Sequence, residues 1–369
     1  MVVCSAPGKI LWLGGYSVLE RPNVCFVTGV DKRVYATVVE SHKIELKAPQ
    51  FGFDASGIFE GGKLVLNNDS AAGKFVKTTV EACLKYFAWK GITVKPFTLE
   101  TRSDDAFGVG GTEAKAGLGG SAAVVVATTA ALFEFHGLGV LENKDKIHKI
   151  AQYSHSMAQG KVGSGFDVAA SCYGASSYVR YSPEILDGPF PQVVEMDWDY
   201  ATASIPLPPQ FSFAIASLGK SASTGEMVEK LNVWKEANTE DYFELMKEYN
   251  AANYLAIGEL KRLSKDFSEK NLGAFRKMFN HAQLLRKQLG LHCGAEVESE
   301  EYAVLREESV ANGAFIACLP GAGGGDSIAA LCLSPEDKKR LEEFWASRGL
   351  KVLGLNISSE GVKLETFKP

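Results

Sequence analysis

Lys115-Ala-Gly-Leu-Gly-Gly-Ser-Ala-Ala123 leads directly into the apolar run Val124 to Phe135, and the interpretation of the sequence starts from this junction. Glycine permits positive φ angles and lets a ligand approach the backbone closely. A helix that begins straight after such a loop directs unpaired N–H groups, and the positive end of its dipole, at whatever the loop holds. We therefore expect an anion site, and phosphate is the usual anion at such a place.

Two side chains of this stretch carry suitable chemistry. Lys115 can add a point charge, and the Ser121 hydroxyl can ligate Mg²⁺. The stretch differs from the common phosphate loop G-x-x-x-x-G-K-[ST], because no Lys-Ser/Thr pair follows its last glycine. Taken alone, it is also compatible with a glycine-rich turn between a strand and a helix that binds nothing.

Composition describes an ordinary globular protein. The 369 residues are long for a single core, so two domains are expected, and 46% of the residues are apolar and 22% charged. The net charge of −5, with lysine and arginine spread along the chain, predicts no nucleic-acid surface. The seven dispersed cysteines form no C-x-x-C pair and predict neither disulfides nor zinc. No apolar run reaches membrane-spanning length and no signal peptide is apparent, so we expect a cytoplasmic protein without a membrane partner.

The first glycine-containing motif in chain order lies near the N-terminus, in Ala6-Pro-Gly-Lys-Ile-Leu-Trp-Leu-Gly-Gly-Tyr-Ser-Val-Leu-Glu20. Residues 10–13 are typical of a buried strand, and Lys9 stands at its mouth. A lysine beside a turn is usually a solvated charge. Proline, glycine and apolar neighbours predict that this one is fixed in place.

Two further glycine-rich stretches follow. In Gly160-Lys-Val-Gly-Ser-Gly-Phe-Asp-Val-Ala-Ala170, Asp167 falls in the first turn of a short helix. Its carboxylate either complements the helix dipole or stands beside a phosphate site, and the sequence leaves both open. Leu319-Pro-Gly-Ala-Gly-Gly-Gly-Asp326 has more glycines than a hairpin needs, which favours close approach to a ligand.

The remaining patterns predict a mixed architecture with a boundary near Ile205-Pro-Leu-Pro-Pro209, where clustered prolines interrupt regular structure. Strands are predicted at 24–30, 34–39, 44–47, 97–100, 175–181, 193–198, 211–217, 314–318, 328–333, 352–357 and 362–367. Helices are predicted at 74–89, after Ser121, and at 144–159, 224–234, 240–263, 272–289 with Gly290 as its stop, 300–311 and 335–347. Ser223-Thr-Gly-Glu226 is a capping box for one of them.

The stretches APGKILWLGGY, KAGLGGSAA and LPGAGGGD, in this order, resemble the superfamily of galactokinase, homoserine kinase, mevalonate kinase and phosphomevalonate kinase. The resemblance spans nearly the whole chain. The Gly-Gly-Tyr form of the first motif, together with QGKVGSGFDVAAS and GKSASTGEMV, resembles the phosphomevalonate branch.

The resemblance implies an α+β, two-domain fold. Residues 1–205 would form the ATP-binding domain with a left-handed β-α-β unit, and residues 206–369 a ferredoxin-like C-terminal domain. It also implies ATP and Mg²⁺, and transfer of the γ-phosphoryl group onto the phosphate of 5-phosphomevalonate. The oligomeric state would be monomer or homodimer.

The resemblance also assigns residues to roles. Lys9, Lys115 and Asp167 would be catalytic, with Asp167 orienting Lys9 or the acceptor, and Ser121 would contact Mg²⁺. ATP would be bound by Lys115, Gly117, Leu118, Gly119, Gly120, Ser121 and Ala122. The acceptor would be held by Tyr16, Lys161, Ser164, Lys220, Ser221, Ser223, Gly323 and Gly324. His155 and the other histidines show no metal-binding spacing, and we assign them no role.

Two departures from the family pattern stand out. Gly120-Ser121-Ala122 replaces the usual Ser-Ser-Ala, so one hydroxyl is missing, and Cys318 replaces a common lysine before the third motif. Alternatives to the assigned reaction are another small-molecule kinase of the superfamily such as mevalonate kinase, the related diphosphomevalonate decarboxylase, and a catalytically silent nucleotide-binding sensor.

Overall fold

The structure is a computed structural model that describes residues 1–107, 117–161, 163–220 and 223–366. Two sheets with helices packed on them give the α+β architecture that the sequence predicts. None of the helices in the described part is both long and apolar enough to span a bilayer.

The larger sheet is built mainly from the N-terminal half of the chain. Its strands up to residue 204 are β1 Val2–Leu13, β2 Val24–Glu40, β3 Ile44–Ala48, β4 Phe53–Glu60, β5 Lys63–Leu66, β6 Phe97–Ser103, β7 Ser176–Val179 and β8 Ala201–Ser204. The order β1-β2-β6-β3-β4-β5 runs across the sheet, and β7 pairs with both β2 and β8. Gly61 and Gly62 form the turn that joins β4 to β5.

Four helices accompany this sheet: α1 Lys74–Trp89, α2 Gly120–Phe135, α3 Lys144–Gln159 and α4 Phe166–Tyr173. Helix α2 is apolar around nearly its whole circumference and is buried from Ala122 to Phe133. A helix of that composition needs neighbours on every side, and α2 contacts β1 and β2 as well as α1, α3 and α4. The N-terminus of α2, directly after Gly119, is thereby fixed against the sheet.

The second sheet has four antiparallel strands. In chain order the elements are β9 Ser212–Ser217, α5 Thr224–Ala237, α6 Thr239–Leu263, α7 Glu269–Cys293, α8 Glu300–Ala311, β10 Ile316–Cys318, β11 Ser327–Cys332, α9 Pro335–Ser347 and β12 Lys351–Val352. The strands lie in the order β10-β11-β9-β12. Four helices fill the first crossover and α9 fills the second, so the sheet has the β-α-β-β-α-β connectivity of the predicted ferredoxin-like domain.

The chain then returns to the larger sheet. Strands β13 Ile357–Ser358 and β14 Lys363–Leu364 pair with β2 and β1, respectively. The buried Arg33 side chain ties this return in place, because it donates to Ser5 Oγ at 2.6 Å and to Gly361 O at 2.6 Å. The predicted division into 1–205 and 206–369 stays a prediction.

Besides the strand predicted at 352–357, whose ends belong to the separate strands β12 and β13, three sequence predictions of secondary structure are wrong. The predicted strands 24–30 and 34–39 are the single strand β2, because its backbone continues through Asp31, whose carboxylate is bonded by Asn356. The predicted strand 193–198 is instead a 3₁₀ turn, Gln192–Glu195, followed by irregular chain. Val193 and Val194 are both buried there, and Trp198 Nε1 donates back to Val193 O at 2.8 Å.

The third error is Gly290, predicted to end a helix. Helix α7 continues to Cys293, and Gly294, with φ +68°, is its cap. A Cβ at Gly290 would lie 2.6 Å from Val297 Cγ2 and 2.7 Å from Ala295 O. Gly290 is therefore a point of close packing within the helix.

This packing predicts opposite effects for two glycine substitutions in α7. Gly290→Ala should lower the free energy of unfolding by about 1–3 kcal/mol, because the added methyl group overpacks the contact with Val297. Gly273→Ala is the matched control, since a Cβ there meets nothing within 4 Å; it should raise that free energy by up to about 1 kcal/mol. Urea unfolding monitored by circular dichroism measures both, and equal effects would contradict the packing argument.

Candidate active site

A cavity of about 800 Å³ lies where the glycine-rich stretches meet. Its walls come from β1, from the N-terminus of α1, from the C-terminal half of α3, and from α5. The side chains and backbone that line it include Lys9, Tyr16, Lys74, Phe75, Gly117, Gly119, Gln152, His155, Gln159, Ser164, Asp167, Gly321, Ala322 and Asp326. The first, second and third motifs of the sequence thus share one cavity.

Lys9 is held beneath the glycine loop. The pairing of β1 with β2 changes register between Pro7 and Lys9, because β2 has three residues opposite the single Gly8 of β1. Its backbone N–H donates to Leu118 O at 2.9 Å, and its Nζ donates to Gly117 O at 2.6 Å. Gly119 has φ +74°, and a Cβ on it would lie 3.0 Å from Lys9 Cε. Lys9 is therefore fixed in place, as predicted, by its hydrogen bonds from β1 to the glycine loop.

Two opposing effects act on the pKa of Lys9. Burial lowers its pKa, while the carboxylates of Asp167 and Asp326 raise it. The Nζ also lies 5.4 Å from the centre of the Phe166 ring. Since burial disfavours the ammonium form, the two carboxylates stabilise the cation in this position.

Ser121, in the first turn of α2, faces a histidine. Its Oγ lies 3.1 Å from His155 Nε2. The same nitrogen is 3.8 Å from Asp167 Oδ2 and 3.4 Å from the amide nitrogen of Gln159. The ring is only 4% exposed and stacks on Phe75 with centroids 5.4 Å apart.

Asp167 lies in the first turn of α4, and its Oδ1 accepts from the backbone N–H of Val168 at 2.9 Å. The loop before it is fixed by two contacts: Gln152 Nε2 donates to Gly165 O at 2.7 Å, and Tyr178 donates to Ser164 O at 3.2 Å. Asp167 therefore bonds a backbone N–H at the helix N-terminus and also lines the cavity. Its place at the helix N-terminus is confirmed, and its position beside a bound phosphate stays a prediction.

The third motif is joined to the first. Tyr16 has φ +67°, is 6% exposed, and donates its hydroxyl proton to Ala322 O at 2.6 Å. The backbone N–H of Gly321 donates to Leu11 O at 3.2 Å. Arg286, which is buried, donates to Leu319 O at 2.8 Å and to Gly321 O at 3.2 Å. These bonds hold the LPGAGGGD loop against β1.

Several residues predicted to hold the acceptor lie elsewhere. Lys161 is exposed, and its Nζ pairs with Asp187 at 2.5 Å. Ser223 caps α5 by accepting from the backbone N–H of Glu226 at 3.3 Å. Lys220 is exposed, with its Nζ 5.1 Å from the Tyr302 ring centre.

The two predicted glycines of the third motif pack inward. Gly324 donates to Val297 O at 3.0 Å, and a Cβ at Gly323 would lie 2.2 Å from that same oxygen. Neither glycine lines the cavity, because both pack against the segment after α7. Lys115 and Ser221 lie outside the described residues.

Some residues of the cavity were missed at the level of sequence. Gln152, His155 and Gln159 follow the i, i+3, i+7 spacing of one face of α3, and all three line the cavity. That polar stripe is a readable signal, although it also resembles a solvated helix face. Asp326 and Lys74 complete the charged lining.

The donor set suits a Mg²⁺ ion that is shared with phosphate oxygens. Mg²⁺ prefers oxygen ligands and commonly takes only one or two from protein. The Ser121 hydroxyl and the Asp167 carboxylate supply such oxygens beside the same imidazole nitrogen. Among the described residues, no group of three or more His, Cys, Asp or Glu side chains could cage a metal.

Comparison with known proteins gives consistent matches. The family models described as GHMP kinases N terminal domain and GHMP kinases C terminal match residues 74–175 and 263–351. A phosphomevalonate kinase of Saccharolobus solfataricus is 30% identical over 99% of this chain and 100% of its own length. A peroxisomal phosphomevalonate kinase of Arabidopsis thaliana is 27% identical over 100% of this chain and 97% of its own length.

Among solved structures, the phosphomevalonate kinase of Streptococcus pneumoniae in complex with phosphomevalonate and AMPPNP superposes with a TM-score of 0.78. It is 20% identical, and the match covers 97% of this chain and 100% of that one. At this identity the likeness supports the fold.

The charge balance at Lys9 predicts a pH dependence of anion binding. Affinity for ATP should fall as pH rises through the pKa of Lys9, because the neutral amine no longer attracts phosphate. Asp167→Asn removes a carboxylate that raises this pKa, so the fall should begin at a lower pH. Calorimetric titration of ATP between pH 7 and 10 measures it.

Two variants serve as controls for this titration. Lys9→Met should abolish the alkaline fall, while Asp187→Asn, which removes a surface carboxylate paired with Lys161, should leave it in place. An alkaline fall that is identical in wild type and Asp167→Asn would contradict the coupling between Asp167 and Lys9.

Proposed function

This chain belongs to the GHMP kinase family, and we propose that it transfers the γ-phosphoryl group of ATP to the phosphate of 5-phosphomevalonate, giving 5-diphosphomevalonate and ADP. The observation that carries the chemistry is the anchoring of Lys9 to the glycine loop at 2.6 Å, inside the cavity that Asp167 also lines. The acceptor is supported by the two phosphomevalonate kinases that match this chain along its whole length.

The central difficulty of this reaction is electrostatic. Two anionic groups must come together, and phosphoryl transfer is promoted mainly by positioning and charge stabilisation. The N-terminus of α2 and the loop Gly117–Gly119 would bind the triphosphate through backbone N–H groups. Lys9 would carry its positive charge to the transferred group, and Lys115 is proposed for the same role.

A strong general base is not required. The acceptor phosphate is largely ionised near neutral pH, since its second pKa is about 6. Asp167 can therefore act through Lys9: its carboxylate raises the pKa of that lysine against the effect of burial. It would keep the cation charged until the phosphates arrive.

Bound Mg²⁺ would supply further positive charge to the β- and γ-phosphate oxygens. Ser121 and Asp167 are the residues proposed to hold it, because their oxygen donors lie near the same nitrogen of His155, which lines the cavity. The missing first hydroxyl at Gly120 leaves Ser121 as the serine of this element.

Other assignments remain proposals from the sequence. Of the residues assigned to the acceptor, Tyr16 and Ser164 line the cavity. The division into domains 1–205 and 206–369, a cytoplasmic location, and a monomeric or homodimeric state are retained as predictions.

The direct test is an assay with purified protein, ATP, Mg²⁺ and phosphomevalonate, with ADP release coupled to NADH oxidation. ADP should appear with phosphomevalonate, whereas mevalonate should give little. Use of mevalonate alone would overturn the acceptor, and carbon dioxide release from diphosphomevalonate would identify a decarboxylase. Nucleotide binding without any turnover would favour a silent sensor.

Substitution of the anchored residues tests the chemistry. Lys9→Met and Asp167→Asn should each lower kcat by about 100-fold or more, because each removes charge stabilisation worth several kcal/mol in the transition state. Lys43→Met is the matched control, since Lys43 is an exposed lysine paired with Glu45 on the surface. All three variants should remain folded by circular dichroism, although loss of the bond from Lys9 Nζ to Gly117 O should lower the unfolding temperature of Lys9→Met. Full activity in Lys9→Met would remove that lysine from the mechanism.

A further inference from the structure

We propose that His155 is a positioning residue: its Nε2 accepts the hydroxyl proton of Ser121 and so turns the Oγ lone pairs toward the metal ion bound with the nucleotide phosphates. The inference rests on the proposed function, because it concerns how the same cavity holds ATP. No sequence pattern assigned this histidine a role.

The groups around His155 Nε2 define the direction of the hydrogen bond. Ser121 Oγ lies at 3.1 Å, within hydrogen-bond range, and the amide nitrogen of Gln159 lies at 3.4 Å. Asp167 Oδ2, at 3.8 Å, is too distant to accept a proton from the ring. With two donor-capable groups in range, Nε2 is the acceptor and the ring proton resides on Nδ1.

The ring has little freedom to abandon this orientation. It is 4% exposed, and Phe75 stacks on it with an interplanar angle of 28°. Gln159 lies one turn further along α3 and reaches the same nitrogen. Phe75 belongs to α1, so two helices fix the ring against the first turn of α2.

The orientation matters because of the chemistry of a hydroxyl. A serine oxygen has one proton and two lone pairs, and a proton that points at a cation site keeps the lone pairs from the cation. An acceptor behind the hydroxyl removes that proton from the site. Partners of this kind, one step behind a metal ligand, typically affect metal affinity by 10–100-fold.

The structural alternative is a histidine that merely fills space under α1. Its ring, however, lines the cavity rather than the core. His136 offers the contrast, because it packs against Phe87 with centroids 4.6 Å apart and its Nδ1 donates to Leu132 O, away from the cavity.

The test compares substitutions that keep or remove the acceptor. His155→Phe retains the aromatic stack and loses the nitrogen. His155→Gln places a polar atom near the position of Nε2, and His155→Asn places one near Nδ1. We expect about tenfold weaker binding of Mg²⁺–AMPPNP for His155→Phe and His155→Asn, and less than about threefold for His155→Gln.

The binding is measured by calorimetry with AMPPNP, with and without Mg²⁺. The affinity for metal-free AMPPNP should be unchanged in His155→Phe, because the histidine acts on the lone pairs offered to the ion. Equal losses with and without Mg²⁺ would overturn the proposal, since they indicate a distorted cavity. His136→Phe is the control and should bind as wild type does.

A double-mutant cycle separates coupling from independent effects. In a Ser121→Ala background, His155→Phe should change Mg²⁺–AMPPNP affinity by less than about twofold, because the hydroxyl that it orients is absent. Full additivity would overturn the proposal. The cycle needs no turnover, so a failed phosphomevalonate assay would refute the proposed acceptor and leave this result standing.

Discussion

The structure depends on one pair of hydrogen bonds, those that Lys9 makes to the glycine loop through its backbone N–H and its Nζ. They join β1 to the turn before α2 at 2.9 and 2.6 Å. A buried ammonium group is costly unless opposite charge is close, and the carboxylates of Asp167 and Asp326 provide it from two separate stretches of chain. The requirement to balance one lysine thus brings all three glycine motifs to one place.

Much of the fold follows from local pattern. Helix α8 has the bounds that its sequence predicts, and the buried α2 follows from its apolar circumference. The sequence predicts two strands in place of β2, because Asp31 interrupts its apolar run. In the structure, Asn356 donates hydrogen bonds to that carboxylate. Such a partner, more than 300 residues away, leaves no local signal.

In the candidate site, too, some residues follow from local sequence pattern and others only from tertiary contacts. Lys9 and Asp167 were predicted because their glycine-rich flanks suggest a ligand, and both line the cavity. His155 was missed because a polar residue on a helix usually faces solvent, and only the tertiary contact with Ser121 distinguishes it. Lys161 was predicted on similar grounds, and its side chain pairs with Asp187 at the surface, so its role in holding the acceptor stays a prediction.

The return of the chain to the larger sheet has a consequence for biosynthesis. Strands β13 and β14 add to β2 and β1 only when residues 357–364 are available. The ribosome synthesises β1 and β2 more than 300 residues earlier. During most of translation these two strands therefore lack the hydrogen bonds that β13 and β14 later supply. The larger sheet, and the buried contact between Arg33 and Gly361, can therefore be completed only after residues 357–364 have been synthesised.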